Sequence, residues 1–543
     1  MTKSLLIGAF ILLIAGTPAG AQQSSGLIQG LGEHEHPIAT ANAEAQKYFN
    51  QALVLSFGFN HAEAIRSFEA AHKLDPLSPM PLWGKAFALG PNYNIDVDPA
   101  SEKLAFETIQ AARKLAAEAP ERERAYVEAL AVRYSGEEKL DLKQLAQNYS
   151  KAMRELSIRY PDDLDAAALY AESLMNLNPW QLWSLEHEPA ENTLEIVKTL
   201  ESVLARDPNH PGANHLYIHA VEASGHPEWA LPSAQRLAAL TPAAGHLVHM
   251  PSHIYMLLGD YTAAAESNKV AAHLDHQYIT KEQVKGVYPM LYLHHNLHFN
   301  AAANIMLGRH GEAKDTAKQL AASLAMHATD IAGMQIFITE YFGPYPTFVA
   351  LRFNDWSSVL TAAEPDDSLP VSKGFWHYAR GVAFSATGEL GKAETERASL
   401  AKVREMLPEA SAYGLNPGSD ILNIAISVLD GRIAVAKGDR KAGITHFETA
   451  VAKQDKIAYN EPADWYYPVR ESLGATLLMD GQPARAEEVF RADLLKTRRN
   501  ARSLFGLHQA LLAQDKAEHA ELVRRRFEQE WRHSELELKI EQF

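Results

Sequence analysis

Pro208-Asn-His-Pro-Gly-Ala-Asn-His-Leu-Tyr-Ile-His-Ala-Val-Glu222 is answered further along by Pro242-Ala-Ala-Gly-His-Leu-Val-His-Met-Pro-Ser-His-Ile-Tyr-Met256. The leading prolines are 242 − 208 = 34 residues apart. The same offset carries His215 onto His249 and His219 onto His253. A period of this length is one helix–turn–helix unit. Such a unit cannot bury its apolar face alone and must stack on copies of itself.

The pattern extends outward in both directions. Near the start, Ala64, Phe68, Ala71 and Pro76 stand where the second helix of a tetratricopeptide unit wants small residues, an aromatic and a closing proline; Tyr48 and Ala52 take the matching places on its first helix. Near the end, Leu473, Gly474, Ala486 and Phe490 repeat the arrangement. Further turns are expected at Gly259-Asp260, Gly308-Arg309, Gly388-Glu389, Gly438-Asp439 and Gly481-Gln482, where glycine suits a left-handed helix C-cap. No run of alternating β-branched residues between hairpin turns is present. The expected fold is all-α: a tetratricopeptide-like α-solenoid of about ten antiparallel helix pairs, forming a right-handed superhelix with a concave groove. Irregular joins are expected near 91–101, 178–192, 276–290, 326–346 and 407–420.

Composition agrees with an array. A chain of 543 residues, 47% hydrophobic, is too long for one ordinary compact domain but not for a core that grows in one dimension. The net charge of −16 argues against nucleic acid, which needs a basic face. Lys3, the apolar run Leu5–Ile14 and the small-residue site Ala19-Gly-Ala21 read as a secretory signal peptide cut after Ala21, giving a periplasmic or secreted protein without a membrane anchor. The expected layout is a signal peptide at 1–21, an extended segment at 22–40, the solenoid at 41–514 with a His-rich groove at 210–300, and a charged capping helix at 515–543. The absence of cysteine excludes disulfides, thiol catalysis and Cys-ligated metal. Any metal must be held by His, Asp, Glu or Met.

Of the 24 histidines, 13 lie within 210–310. With Pro211 and Gly245 as position one of successive repeats, His215 and His249 are position five, His219 and His253 position nine, Glu222 position twelve and His246 position two. In a tetratricopeptide unit these positions of the first helix line the concave groove. Residues at i, i+4 and i+7 share one helix face, and neighbouring helices pack roughly 8–10 Å apart. His294-His295-Asn-Leu-His298 adds a third cluster on what should be the next such helix. The candidate metal ligands are therefore His215, His219, Glu222, His246, His249, His253 and His298, with either His294 or His295 beside His298, spacing slightly favouring His294. Imidazoles with one carboxylate suit zinc or copper, and iron and manganese also accept such sets. Glu222 is the candidate catalytic residue, as ligand or general base, if an open metal position activates water or handles O₂.

Several groups receive a plainer reading. Met250, Met256 and Met290 read as core filler rather than Cu(I) ligands. His210, His226, His273, His276 and His310 read as surface residues. His34 and His36 read as part of a solvated segment, with an accessory metal site as the alternative. In Glu461–Arg470, Asp464 reads as a helix cap beside a hydrophobic staple. Pro91-Asn-Tyr93-Asn94 and Phe342-Gly-Pro-Tyr-Pro346 read as loops that can border a pocket. Tyr217 and Tyr255 fall off the histidine face.

Most of residues 30–515 resembles a family of exported bacterial tetratricopeptide proteins with His-rich middles. The likeness rests on Asn214–Glu222, on Gly245-His-Leu-Val-His-Met-Pro-Ser-His-Ile-Tyr255, on His295-Asn-Leu-His-Phe299, on Trp376-His-Tyr-Ala-Arg380 and on Asp464-Trp-Tyr-Tyr-Pro-Val-Arg470. It favours His295 over His294 in the third cluster and implies the fold, without an assigned reaction. Relatives often carry Cys-x-x-Cys where Ser78-Pro-Met-Pro81 stands here, so any role of that pair is lost. Two functions compete: a metal protein, catalytic or not, and a scaffold whose groove takes a peptide or small ligand. Convergence of the ligand atoms on one point favours the first; histidines spread among exposed apolar pockets favour the second.

Overall fold

The computed structural model describes residues 26–137, 139–327 and 334–543. The expected signal peptide at 1–21 lies outside the described residues. The chain divides into two compact units. One comprises the residues up to Ile254 together with Val270–Val284; the other comprises Tyr255–Lys269 together with Lys285–Phe543.

In the first unit consecutive helices pack on one another: Ala43–Phe57 on His61–Leu74, Met80–Leu89 on Pro99–Ala116, Glu121–Ala131 on Leu142–Arg159, Leu164–Met175 on Thr193–Arg206, and Pro211–Val221 on Leu231–Leu240. The second unit repeats the scheme with His294–Met306 on His310–His327, Pro370–Ala386 on Leu390–Met406, Gly418–Ala436 on Arg440–Gln454, Val469–Met479 on Pro483–Lys496, and Ala501–Leu512 on Ala517–Trp531. Among the described residues the strands are Ala412–Tyr413 and Asn416–Pro417, paired antiparallel. The all-α, helix-pair reading therefore holds.

The sequence pattern works through glycine against phenylalanine. Phe68 is fully buried, and a Cβ added at Gly84 on the next helix would stand 2.2 Å from its ring. Phe490 is gripped from both sides: a Cβ at Gly474 would meet its ring at 2.6 Å, and one at Gly506 at 2.2 Å. Small residues thus let helices close over a large aromatic. Ala64, Ala71 and Ala486 are fully buried for the same reason. On the first helix Phe49, fully buried, packs into the core while Tyr48 is half-buried, so the aromatic role falls one residue later than expected. Gly506→Ala should lower stability by about 1–3 kcal/mol through overpacking, despite the better helix propensity of alanine. Gly391→Ala is the control, since a Cβ there meets nothing within 4 Å. Thermal melts in which both variants are unchanged or raised would refute the clamp.

The expected glycine turns all carry positive φ, at Gly259, Gly308, Gly388, Gly438 and Gly481. Gly308 shows the demand most clearly. Its φ is +68°, and a Cβ there would stand 2.3 Å from Ser534 Oγ and 2.5 Å from the Trp531 ring. Those residues belong to the C-terminal segment, which corrects the expectation of one capping helix over 515–543. The helix ends at Trp531, and the following chain packs back. Glu535 N donates to Gly308 O at 3.2 Å, and Leu538 and Phe543 are buried with Trp531, Ala475 and Ala501. Apolar Leu536, Leu538, Ile540 and Phe543 drive this return, since a charged helix would leave them in water.

Asp464 also differs from expectation. The helix it was to cap begins at Val469, behind Pro468. Asp464 instead accepts from Asn416 Nδ2 (2.6 Å) and Asn460 Nδ2 (2.7 Å), tying the 412–417 hairpin to the aromatic loop that buries Trp465. Burial pushes its carboxyl up to about 6 against those hydrogen bonds. The methionine reading holds: Met250 and Met290 are buried, and Met256 packs on the Tyr261–Ala264–Ala303 cluster. No helix among the described residues is long and apolar enough to cross a membrane.

Candidate metal centre

Gly212 brings the histidine helix close to its neighbour. A Cβ there would stand 2.5 Å from the Phe57 ring, so the end of the helix Ala43–Phe57 presses against the start of Pro211–Val221. The helix end offers a carbonyl with no intrahelical partner. His215 takes it, its Nδ1–H donating to Phe57 O at 2.5 Å. That bond fixes the tautomer and leaves Nε2 as the lone-pair nitrogen, buried and without a hydrogen-bond partner. His219 follows one turn later, and Glu222 stands at the C-cap.

The second repeat supplies the facing histidines. Pro251 cannot donate to the turn before it, so the helix Gly245–His249 ends and Pro251–Leu258 starts anew. His246 and His249 come from the first piece and His253 from the second. Ring centroids lie 5.0 Å apart for His215–His219, 5.0 Å for His215–His246 and 5.4 Å for His219–His253. One ligand atom each from His215, His219 and His246 falls within 4.8 Å of the others, and the same holds for His219, Glu222 and His253.

One set of tautomers accounts for the hydrogen bonds around Glu222. Glu222 accepts from His219 Nδ1 through Oε1 (2.9 Å) and from His253 Nδ1 through Oε2 (2.6 Å). His249 Nε2 then donates to His253 Nε2 at 2.8 Å, while Ser252 Oγ donates to His249 Nδ1 at 3.3 Å. Both carboxylate oxygens of Glu222 are thus engaged with imidazoles in this arrangement. Burial, with the neighbouring histidines adding to it, holds the pKa of His215 and of His246 well below the ordinary value. Neutral imidazole is the form that binds metal.

All six residues are 0–2% exposed. This corrects the picture of a groove surface open to solvent. The reason is an aromatic wall. Phe59 lies 4.5 Å from the His215 ring and 5.6 Å from that of His246, while Tyr93 and Trp180 lie 5.1 and 5.7 Å from His219. Phe59 and Trp180 have φ of 55° and 60°, a left-handed conformation that bulky residues rarely adopt and that clusters at functional sites. Tyr93 lies in the loop expected to border a pocket. Trp180 lies in an expected irregular join. Phe59 carried no sequence signal.

The third cluster belongs to the second unit. His295 is half-buried, its ring edge-on to Phe299 at 5.0 Å. His298 is caged by Tyr341, Phe342 and Tyr345, with the Tyr345 ring 4.1 Å away, and burial pushes its pKa down to about 3. It joins none of the ligand clusters among the described residues. His294 bonds through both nitrogens, to Met290 O and Ser323 Oγ at 2.9 Å each. Tyr217 donates to Glu201 at 2.8 Å, away from the histidines, as expected.

Three plainer readings are corrected. His210, expected at the surface, is 1% exposed, and His36, expected in a solvated segment, is 4% exposed. His34 is only partly exposed. The extended segment docks because its backbone finds partners: Ile28 N donates to Gln51 Oε1 (2.7 Å), Ala243 N donates to Gly30 O (2.9 Å) and Ile38 N donates to Gln46 Oε1 (2.9 Å). His226, His273 and His276 are exposed as expected.

Glu172 is the ninth residue of the helix Leu164–Met175, as His219 is of Pro211–Val221; it is buried, but it joins no ligand cluster among the described residues. Burial pushes its carboxyl up to about 7, against Arg133 and the Asn176 amide. The fold therefore prefers the neutral acid. That contribution is complete below the unfolded value near 4.3 and is lost as pH rises through 7. Relative to its difference from the wild type near pH 4, Glu172→Gln should gain about 1–3 kcal/mol at pH 8. Equal differences in melting at both pH values would refute the shift.

No protein-family model and no curated protein matches the chain. Among solved structures it is similar to the human IFIT1 dimer with m7Gppp-AAAA, at 13% identity over 91% of each chain with a TM-score of 0.33. It is also similar to yeast Tom70, at 11% identity over 89% of this chain and 96% of that chain with a TM-score of 0.31. The P58(IPK) TPR domain is a third, at 11% identity over 88% and 99% with a TM-score of 0.23. Overlaps this loose carry no weight on function. The class of protein, an all-α array of tetratricopeptide-type helix pairs, rests on the helix order and the glycine–phenylalanine contacts of the chain itself.

Proposed function

We propose that this chain is an exported metal-binding protein whose centre is the triad His215, His219 and His246, with zinc or copper as the ion. The observation that supports it is the pre-set tautomers: Phe57 O holds Nδ1 of His215 and Glu222 holds Nδ1 of His219, so each presents Nε2. Such outer partners are what metal-bound imidazoles use to fix ring orientation. Three imidazoles without thiolate suit Zn²⁺ or Cu²⁺ and leave a fourth position for water or a small ligand. When bound, the ion would supply Lewis acidity, or redox chemistry if it is copper. Glu222 holds the two imidazoles aligned, and Phe59, Tyr93 and Trp180 exclude bulk water. The periplasm is the proposed compartment, from the leader at 1–21.

A partner-binding scaffold is a use that arrays of helix pairs allow, but clustering of the histidines in a buried knot, rather than along exposed apolar pockets, favours the metal. The test is elemental mass spectrometry on protein produced by export, without an affinity histidine tag. Near-stoichiometric zinc or copper is expected, lost in the His215→Ala/His219→Ala/His246→Ala variant. Protein that carries no metal and takes up none on titration would overturn the reading.

A further inference from the structure

Asp165 lies outside that centre, near the start of the helix Leu164–Met175, and is surrounded by histidines from distant parts of the chain. Its Oδ1 is 2.9 Å from His34 Nε2 and 3.1 Å from His210 Nε2; its Oδ2 is 2.7 Å from His36 Nδ1. The His34 and His210 rings stand 4.8 Å apart, tilted by 50°. One ligand atom each from His34, Asp165 and His210 lies within 4.8 Å of the others. None of these residues contributes to the triad, and the proposal below stands whether or not the triad binds metal.

We propose that His34, Asp165 and His210 form a second site for a divalent transition cation, closed by docking of the N-terminal segment. Two imidazoles and one carboxylate are a donor set that zinc and its neighbours accept. His36 is placed as the positioning residue. It holds Oδ2, which leaves Oδ1 turned toward the two nitrogens, as outer partners do for ligating carboxylates. Asp163, close by, is not free to bind: its Oδ1 caps the helix through Ala166 N at 3.1 Å and its Oδ2 accepts from Arg122 Nε at 2.7 Å. A cleft of about 850 Å³, lined by His34, His36, Asp165 and His210 among others, provides the entry path that a metal site requires.

A different explanation for the cluster is a metal-free staple, in which the imidazoles donate to one carboxylate. Ala213 N donates to His210 Nδ1 at 3.1 Å, which places the proton on Nε2 in the metal-free form, so zinc must displace that proton and give up the cap bond. Zinc stoichiometry separates the two. The full chain is stripped with chelator and titrated with Zn²⁺ alone, in the His215→Ala/His219→Ala/His246→Ala background so that the triad contributes nothing. One equivalent of zinc is expected in that background, and X-ray absorption should show imidazole nitrogen with carboxylate oxygen in its shell. Adding His34→Ala and His210→Ala should abolish it. Because those changes can release the N-terminal segment, Asp165→Asn serves as a second variant that keeps the hydrogen-bonding shape, and it should weaken zinc at least tenfold. Retention of the full equivalent in either variant, or no zinc in the background, overturns the proposal. Zinc lost only from the triad variant leaves the triad reading intact while this one fails.

Discussion

Glu222→Gln is expected to weaken metal binding at the triad by roughly 10–100-fold while the fold survives. The carboxylate accepts two imidazole N–H groups, one on each oxygen. An amide of the same shape has one acceptor oxygen and one NH₂, so one of the two imidazoles meets a donor. If that imidazole is His219, its proton moves to Nε2, where it occupies the lone pair that the metal needs. If it is His253, the proton chain through His249 and Ser252 reverses. Either change leaves the helices in place but costs ligand alignment. Competition with a chromophoric chelator measures the loss. Affinity equal to the wild type in a variant that melts normally would show that Glu222 does not orient the site. Glu222→Ala is a harsher change, stranding two buried donors at about 1–3 kcal/mol each.

Arg352→Ala should destabilise the second unit by about 3–5 kcal/mol. Arg352 Nη1 and Nη2 grip Glu471 at 2.8 and 3.2 Å, and Asn500 Nδ2 adds a third donor at 3.0 Å. Glu471 is fully buried and Arg352 is nearly so. The guanidinium lies 5.0 Å over the Tyr467 ring, and the Arg352 carbonyl accepts from Arg502 at 2.8 Å. Burial and the charge of Arg352 push Arg502 down to about 9. Removing Arg352 leaves a buried carboxylate facing only an amide and a second, more distant cation. The double variant Arg352→Met/Glu471→Leu removes both charges and should recover most of the loss, because a buried pair often costs as much in desolvation as it gains. Urea midpoints for both are the test: a single variant no worse than the double would refute the coupling between Arg352 and Glu471.

The helix pairs were legible because a 34-residue period and buried Ala, Gly and Phe at fixed places encode local packing, which acts between residues near in sequence. The pairing of His215 with His249 and of His219 with His253 by register placed the two repeats' histidines in one cluster for the same reason. The burial of that cluster was not legible. Phe59, Tyr93 and Trp180 approach it from three separate segments, and Phe59 does so through a left-handed backbone that no residue preference announces. His34 and His36 looked like a polar tail because composition records affinity for water and not the Asp165 carboxylate, 131 and 129 residues further along, that they meet.

The sequence alone therefore determined the helical class, the repeat register and the kinds of side chain that the histidine helices carry, since periodicity and side-chain chemistry are properties of the chain as written. Tertiary structure alone decided which histidines share a point, that Glu222 orients rather than faces solvent, that Asp165 gathers a second cluster, and that the C-terminal segment leaves its helix to cover Ala475 and Ala501. Each of these depends on contacts between residues far apart in the chain, and the energy of such a contact exists only once the helices have brought its two halves within bonding distance.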